Sequence, residues 1–520
     1  MVRVRFIVAG LLLAGMLAAF SDHPAWLTPA RAAVSDSGIT AVAVAGIQSA
    51  GVFDGVPYTR TWGTVSGVVG PVEHVVGIAA LPKDANGDYD YSSQFELIAP
   101  TAPGTNSAIL VEAENRGTPL VLDGINALAI HGPPAEATYA VGLGNGFLET
   151  HHTSYARVQW ETHISAGVPA NAQGVGEVIV RDFARMLAGD RGRMAAQLSF
   201  DPGRYRSLLI GGISQSAWFV DTFIAEGFNV DPVSQRSVFS GAIAIDGTGN
   251  WLALNQLAAA NGASESAYVV PTGAPIPARQ LLRRPRSDPF YIDVANYTDF
   301  YRVRASLTDT SSLPGTMRRY DWPSPHHPVL SAKDAAGTFA ASRAGGPCNT
   351  GVVVPLNPIA YFPYLRTLVI ELEGRVGAQG PANVHALPPT TLFTLGAVPA
   401  STADFNGLPG ATLEVPLTDA DAQPVGGVRF PEVDHPVGRP LPVSLPPVIT
   451  TAITGICGNN GQWQPLTAAE LATRYGSQTK YVSVYGDSLD RLIAGGYLLP
   501  SEKEGLLTLA AARYQNPAGY

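Results

Sequence analysis

The sequence predicts an α/β protein whose mostly parallel sheet is covered by helices on both faces. Three observations lead there. Aliphatic, aromatic and Cys residues make up 46% of the 520 residues and charged residues 14%, enough apolar material for a large core. From Phe95 onward, short β-rich apolar runs alternate with helical stretches, the pattern of strand–helix–strand units. One of these runs, Leu208 to Ile210, passes through small residues straight into a helix.

The N-terminus carries Arg3 and Arg5, then fifteen uncharged residues from Phe6 to Phe20, then Ala30-Arg31-Ala32. This is the charged, apolar and small-x-small order of a secretory signal. The apolar stretch falls short of the ~20 residues a spanning helix needs. Residues 1–32 are therefore expected to be a signal peptide cleaved near Ala32. The mature chain, starting near Ala33, would be extracytoplasmic, with no stable membrane insertion.

Residues 33–94 read as a β-rich extension, with strands at Val65 to Val69 and Val75 to Ala80 and a polar turn at Asp84 to Asp88. Residues 95–345 read as the α/β core. Its strands are Phe95 to Ile98, Ala108 to Glu112, Tyr155 to Gln159, Leu208 to Ile210, Phe239 to Ile245, Phe290 to Ala295 and Thr316 to Tyr320. Its helices are Val175 to Leu187 and Ala217 to Glu226. Residues 250–288, Ala-rich and then Pro/Arg-rich, read as an insertion over the sheet's edge. Residues 346–520 form a C-terminal region packed on the core. It is Pro/Gly/Thr-rich with weak β character from Val376 to Arg439, and helical from Thr467.

The net charge is −9 and no basic block stands out, so a nucleic-acid partner is not expected. Cys348 and Cys457 are the only cysteines. Without CxxC or a His/Cys cluster, no metal site is expected. In an exported chain the two suggest one disulfide, the alternative being two buried thiols.

The chemistry sits in Gly212-Ile213-Ser214-Gln215-Ser216-Ala217, between a buried strand and a helix. A Ser at the tip of a sharp strand-to-helix turn needs small neighbours two residues away on either side. Gly212 and Ser216 meet that need around Ser214. Around Ser216 the neighbours would be Ser214 and Trp218, and Trp218 is too large. Ser214 is the expected nucleophile.

At this point the chain resembles the large α/β-hydrolase-domain family of exported, roughly 500-residue serine esterases. The resemblance covers most of the mature chain. It rests on Gly67 to Gly77, Glu114-Asn115-Arg116-Gly117, the Ser214 segment, Glu226-Gly227-Phe228-Asn229 and Pro431-Glu432-Val433-Asp434, in that order. The sequence departs at Ala217, where a Gly is usual, and at Ser240, where an Asp commonly follows the Phe.

A serine nucleophile needs a base, an orienting acid and an oxyanion hole, and this fold supplies them in the order Ser, acid, His. Asp299 follows the strand ending at Ala295, where the acid belongs, and the resemblance supports it. Asp246, one strand earlier, is the second choice, and Asp293 lies inside a strand. His326 and His327 follow the next strand, and the resemblance favours His327 over His326. His151, His152 and His163 precede the nucleophile, and His385 and His435 lie in the irregular region. The backbone N–H of Gln215 and that of Arg116, beside Gly117, are the expected oxyanion donors. The reading is a cofactor-free serine hydrolase acting on small or polymeric carboxylic esters. A peptidase or amidase with the same triad, or a catalytically inactive binding protein of the same fold, are the alternatives.

Overall fold

All residues of five strands are buried: β4 (Ala108–Glu112), β5 (Ser154–Val158), β6 (Ser207–Ile213), β7 (Gly241–Ile245) and β10 (Phe290–Asn296). Strands buried from both sides need no alternation of polar and apolar residues, and theirs is the near-continuous apolar reading of a covered parallel sheet. The computed structural model describes residues 37–73, 75–102, 108–127, 143–162, 164–194, 198–247, 251–252, 268–269, 278–302, 305–308, 310–325, 346–347, 353–355, 357–359, 361–377, 387–397, 414–441 and 461–518. The expected signal peptide, His163, His326, His327, His385, Cys348 and Cys457 lie outside these residues.

With β1 (Gly38–Phe53), β2 (Val56–Val69), β3 (Tyr89–Pro100) and β11 (Met317–Trp322), these strands form one nine-stranded sheet in the order β1-β2-β3-β5-β4-β6-β7-β10-β11. The pairs from β1 to β5 are antiparallel, and those from β5 to β11 are parallel. The residues before Phe95 thus join the main sheet as its antiparallel side. β1 and β2 make a long hairpin around Asp54 and Gly55, both at positive φ (45° and 78°), the Asp-Gly turn that suits twisted strands. The expected strand at Val75 to Ala80 is not formed. Gly77 at φ 84° turns the chain, Val76 bridges to Gln173, and Ile78–Ala80 is a single 3₁₀ turn.

Alternate strand residues feed two cores. Ile109, Val111, Leu208, Ile210, Ala242 and Ala244 pack with helices α3 (Val175–Leu187) and α4 (Gln215–Ala225). Leu110, Leu209, Ile243, Ile245, Ile292 and Val294 pack on the other face with α1 (Leu120–Ile125), which precedes α2 (Phe147–Thr150), and with C-terminal helices. The described parts of the insertion are the pair β8 (Trp251–Leu252) and β9 (Tyr268–Val269) and the short α5 (Ala278–Leu281). Of these, β8 and α5 lie against α4. Just after them, Arg283 and Arg284 donate to the Ala225 and Ile224 carbonyls, both at 3.1 Å. These cations satisfy the negative end of α4.

The short α6 (Asp299–Arg302) follows β10. Helix α7 (Phe362–Val376), which the sequence reading left unassigned, covers the second face, with Pro363 in its first turn. Its Arg366 donates to the Ile125 carbonyl at 2.7 Å and to Glu502 at 2.7 Å. The Pro431-Glu432-Val433-Asp434 motif forms a short helix, α8, followed by α9 (Ala468–Tyr475), α10 (Gln478–Ala494) and α11 (Lys503–Gln515). Glu432 accepts from Tyr485 at 2.8 Å and from Arg513. Asp434 accepts from Ser488 at 2.7 Å and Arg491 at 3.0 Å. The motif is a structural clamp on the C-terminal helices. Among the described residues, no helix is long and apolar enough to cross a membrane.

Candidate active site

β6 and α4 meet at Ser214 with no intervening loop. Ser214 sits at φ 62°, ψ −123°, a region that non-Gly residues rarely occupy and that costs ~1–3 kcal/mol. The surroundings impose it. The Ser214 N–H donates to the Ile245 carbonyl at 2.8 Å, and its own carbonyl accepts from Ala217 at 2.9 Å and Trp218 at 3.2 Å. A Cβ on Gly212 would lie 2.4 Å from the Ser216 carbonyl oxygen, so Gly is required where strand and helix converge. Gly212→Ala should therefore lower stability by ~1–3 kcal/mol through overpacking. Denaturant titration would measure it, and an unchanged midpoint would show that the elbow tolerates the methyl.

Ser216 is used inside the turn. Its Oγ accepts from the Ile213 N–H and donates to the Ile213 carbonyl, both at 2.9 Å. Ser214, not Ser216, occupies the strained tip, as the spacing argument requires.

The loop after β4 closes a tight turn in which Asn115 and Thr118 exchange N–H···O bonds at 2.9 Å. Arg116 (φ 49°) and Gly117 (φ 80°) form its tip. The turn is tied to the elbow, because Asn115 Nδ2 donates to the Ile213 carbonyl at 3.0 Å. Arg157 donates to the Gly117 carbonyl at 3.2 Å, and Trp160 Nε1 to the Glu114 carbonyl at 2.9 Å. Gln215, at the start of α4, donates its side-chain amide to Glu161 Oε1 at 2.8 Å. Beneath the turn runs a row of buried charges. Arg60 and Arg157 pair with Glu96 at 2.9 and 2.8 Å, and Arg157 reaches Glu114 at 3.4 Å. Burial pushes the Glu114 carboxyl up to about 7, against the pull of Arg157.

The two candidate acids end adjacent strands. Asp246 follows β7 at φ 62°, and its N–H donates to the Val294 carbonyl at 2.9 Å. Asp299 opens α6 after β10. Both are fully buried, and Asn296 touches both. Its N–H donates to Asp299 Oδ2 at 2.7 Å, and its side-chain amide donates to Asp246 Oδ1. Burial first, then the charges of Asp246 and Asp299, push the Tyr361 hydroxyl well above its ordinary range. Asp293, by contrast, is an ion-pair partner of Arg319 at 2.6 Å.

The Tyr297 N–H donates to the Ser324 carbonyl at 2.8 Å. The chain leading to His326 and His327 therefore leaves β11 against the segment that carries Asp299. Among the rival histidines, His151 packs against Phe147 with the ring centroids 4.2 Å apart, and His152 faces Asp54 at 3.5 Å, exposed. The structure thus brings Ser214, Gln215 and the Arg116 turn together, and Asp246 with Asp299. Glu161, Asn296 and the amide of Asn115 take part without having been anticipated. No motif marks Glu161. Asn296 was visible only as the residue after the strand expected to end at Ala295.

A strained Ser at a strand-to-helix elbow, on a mostly parallel sheet of this order, defines the α/β-hydrolase class. A family model described as "Alpha/beta hydrolase domain" matches residues 135–508, and the chain belongs to that family. No curated protein matches the sequence. Solved structures that match the chain include a glucuronoyl esterase from Solibacter usitatus (10% identity, TM-score 0.28, covering 57% of this chain and 82% of that one). Another is a CE15 glucuronoyl esterase from Teredinibacter turnerae T7901 (13%, TM-score 0.28, 58% and 76%). A third is a dienelactone hydrolase from Anabaena variabilis ATCC 29413 (9%, TM-score 0.25, 45% and 82%).

Proposed function

We propose that the protein is a serine esterase. The observation that carries this reading is the strained backbone of Ser214 at the elbow, with the Arg116 turn bonded to the residue before it. Ser214 Oγ attacks the ester carbonyl while His327, or His326 as second choice, takes its proton. Asp299 orients the imidazole and stabilises its charged form. The N–H groups of Gln215 and Arg116 receive the developing oxyanion. Each such donor is worth ~3 kcal/mol of transition-state stabilisation. The imidazolium returns the proton to the leaving alcohol, and water, activated by the same base, releases the acid from the acyl-enzyme. No cofactor enters this scheme.

The same reading has a mature chain starting near Ala33 that acts outside the cytoplasm on small or polymeric esters, with Cys348 joined to Cys457. The test is labelling with a fluorophosphonate followed by peptide mapping, beside turnover of a graded panel of esters and amides. Label on Ser214 with faster ester than amide turnover is expected. A folded protein that takes no label and turns over no ester would overturn the reading, and faster amide turnover would make it an amidase.

A further inference from the structure

An oxyanion hole works only if two donors from different elements are held at a fixed separation. Here one donor opens α4 and the other lies in the turn after β4. The β4–β6 ladder fixes the strands only as far as the Glu112–Gly211 pair, followed by the Ala113 N–H to the Gly211 carbonyl at 2.9 Å. Both donors lie beyond that point.

We infer that Trp160 and Glu161, just past β5, clamp the two halves of the oxyanion hole together, with Glu161 the positioning residue for the Gln215 amide. This rests on the serine-hydrolase reading above. The two neighbours divide the work. Trp160 holds the turn through its indole N–H on the Glu114 carbonyl at 2.9 Å. Its ring packs on Phe219 of α4 at 4.2 Å. Glu161 holds the other half, accepting from Gln215 Nε2 at 2.8 Å. Trp160, Glu161 and Gln215 are 0%, 3% and 1% exposed, so water does not compete for these bonds.

A buried carboxylate near a site of developing negative charge has an electrostatic cost. Its geometric role accounts for its presence. A carboxylate accepting a hydrogen bond makes a shorter, stronger bond than a neutral acceptor. It fixes the side chain of the residue whose own N–H must meet the oxyanion. The clamp acts on the transition state and not on the ground state, so its loss appears in kcat and spares KM.

Glu161→Ala should lower kcat roughly 10- to 100-fold, the scale of a donor displaced by less than 1 Å, with KM within twofold. It should weaken a boronic acid, whose tetrahedral adduct mimics the oxyanion, by the same factor. Glu161→Gln, which keeps an acceptor, should recover most of both. Gln215→Ala keeps its backbone N–H but loses the same bond, so it should reproduce Glu161→Ala. The double variant should be no worse than either single one. Trp160→Phe, which keeps a ring but loses the N–H, should also lower kcat with little change in KM, and it covers the case in which Glu161→Ala fails to fold. The inference falls if Glu161→Ala and Gln215→Ala match wild type in kcat and boronate affinity. It falls equally if their losses multiply in the double variant. The serine-hydrolase reading fails separately, in wild-type protein that takes no fluorophosphonate on Ser214.

Discussion

Replacing Ser214 by Ala should reduce ester hydrolysis on the order of 10⁶-fold, the scale seen when a triad nucleophile is removed. The melting temperature should stay near wild type. Ala at φ 62° meets no more strain than Ser, and the Ser214 N–H and carbonyl bonds that hold the tip survive the change. Ser216→Ala should behave in the opposite way. It removes a hydroxyl that both accepts from and donates to Ile213. It should cost ~1–3 kcal/mol of stability for the buried polar groups it abandons, yet retain much of the turnover. Kinetics and thermal melts on the two variants separate the roles. A dead Ser216→Ala beside an active Ser214→Ala would shift the elbow by two residues.

The second large effect concerns the acid. Asp299→Asn should lower kcat by up to ~10⁴-fold, because the wrong imidazole tautomer is then held. Asp246→Asn should cost far less. His327→Ala should be at least as damaging as Asp299→Asn, and His326→Ala mild. In wild-type protein the base must be neutral to accept the Ser214 proton. Thus kcat/KM should rise with pH through an apparent pKa of ~6–7. Steady-state rates across pH would check both expectations. If Asp246→Asn were the crippled variant and Asp299→Asn near wild type, the acid would sit one strand earlier.

Much of the sheet was legible in the sequence because its central strands are short, apolar runs bounded by turn residues. The strand Ala108–Glu112 and the helix Val175–Leu187 that covers the sheet both have the bounds their patterns suggest. The long β1 was not legible. Most of its residues are Ala, Gly and Val, with little polar alternation, even though the Asp54-Gly55 turn between two β-rich runs was a usable hairpin signal. Helix α7 was hidden because its buried Arg366, Thr367 and Glu371 break the apolar stripe that marks a packed helix. At the elbow, the small-residue rule pointed to the residue that has the strained backbone, Ser214. Glu161 and Asn296 escaped because their roles depend on partners 54 and 50 residues away, Gln215 and Asp246. Nothing in their local sequence announces that pairing.

The clamp between the C-terminal helices and the rest of the protein bears on the order in which the chain can fold. Arg366, on the helix that covers the sheet's second face, finds Glu502 only 136 residues later. Arg513 reaches back 155 residues to the Pro358 carbonyl and 81 to Glu432. Contacts so distant in sequence form slowly, and during synthesis the N-terminal part folds first. Helix α7 must therefore wait for residue 502 to be made before the buried Arg366 guanidinium meets Glu502. A chain clipped before residue 500 would be damaged at its centre, with Arg366 lacking Glu502 and Glu432 lacking Arg513, while the elbow that carries Ser214 had long been complete.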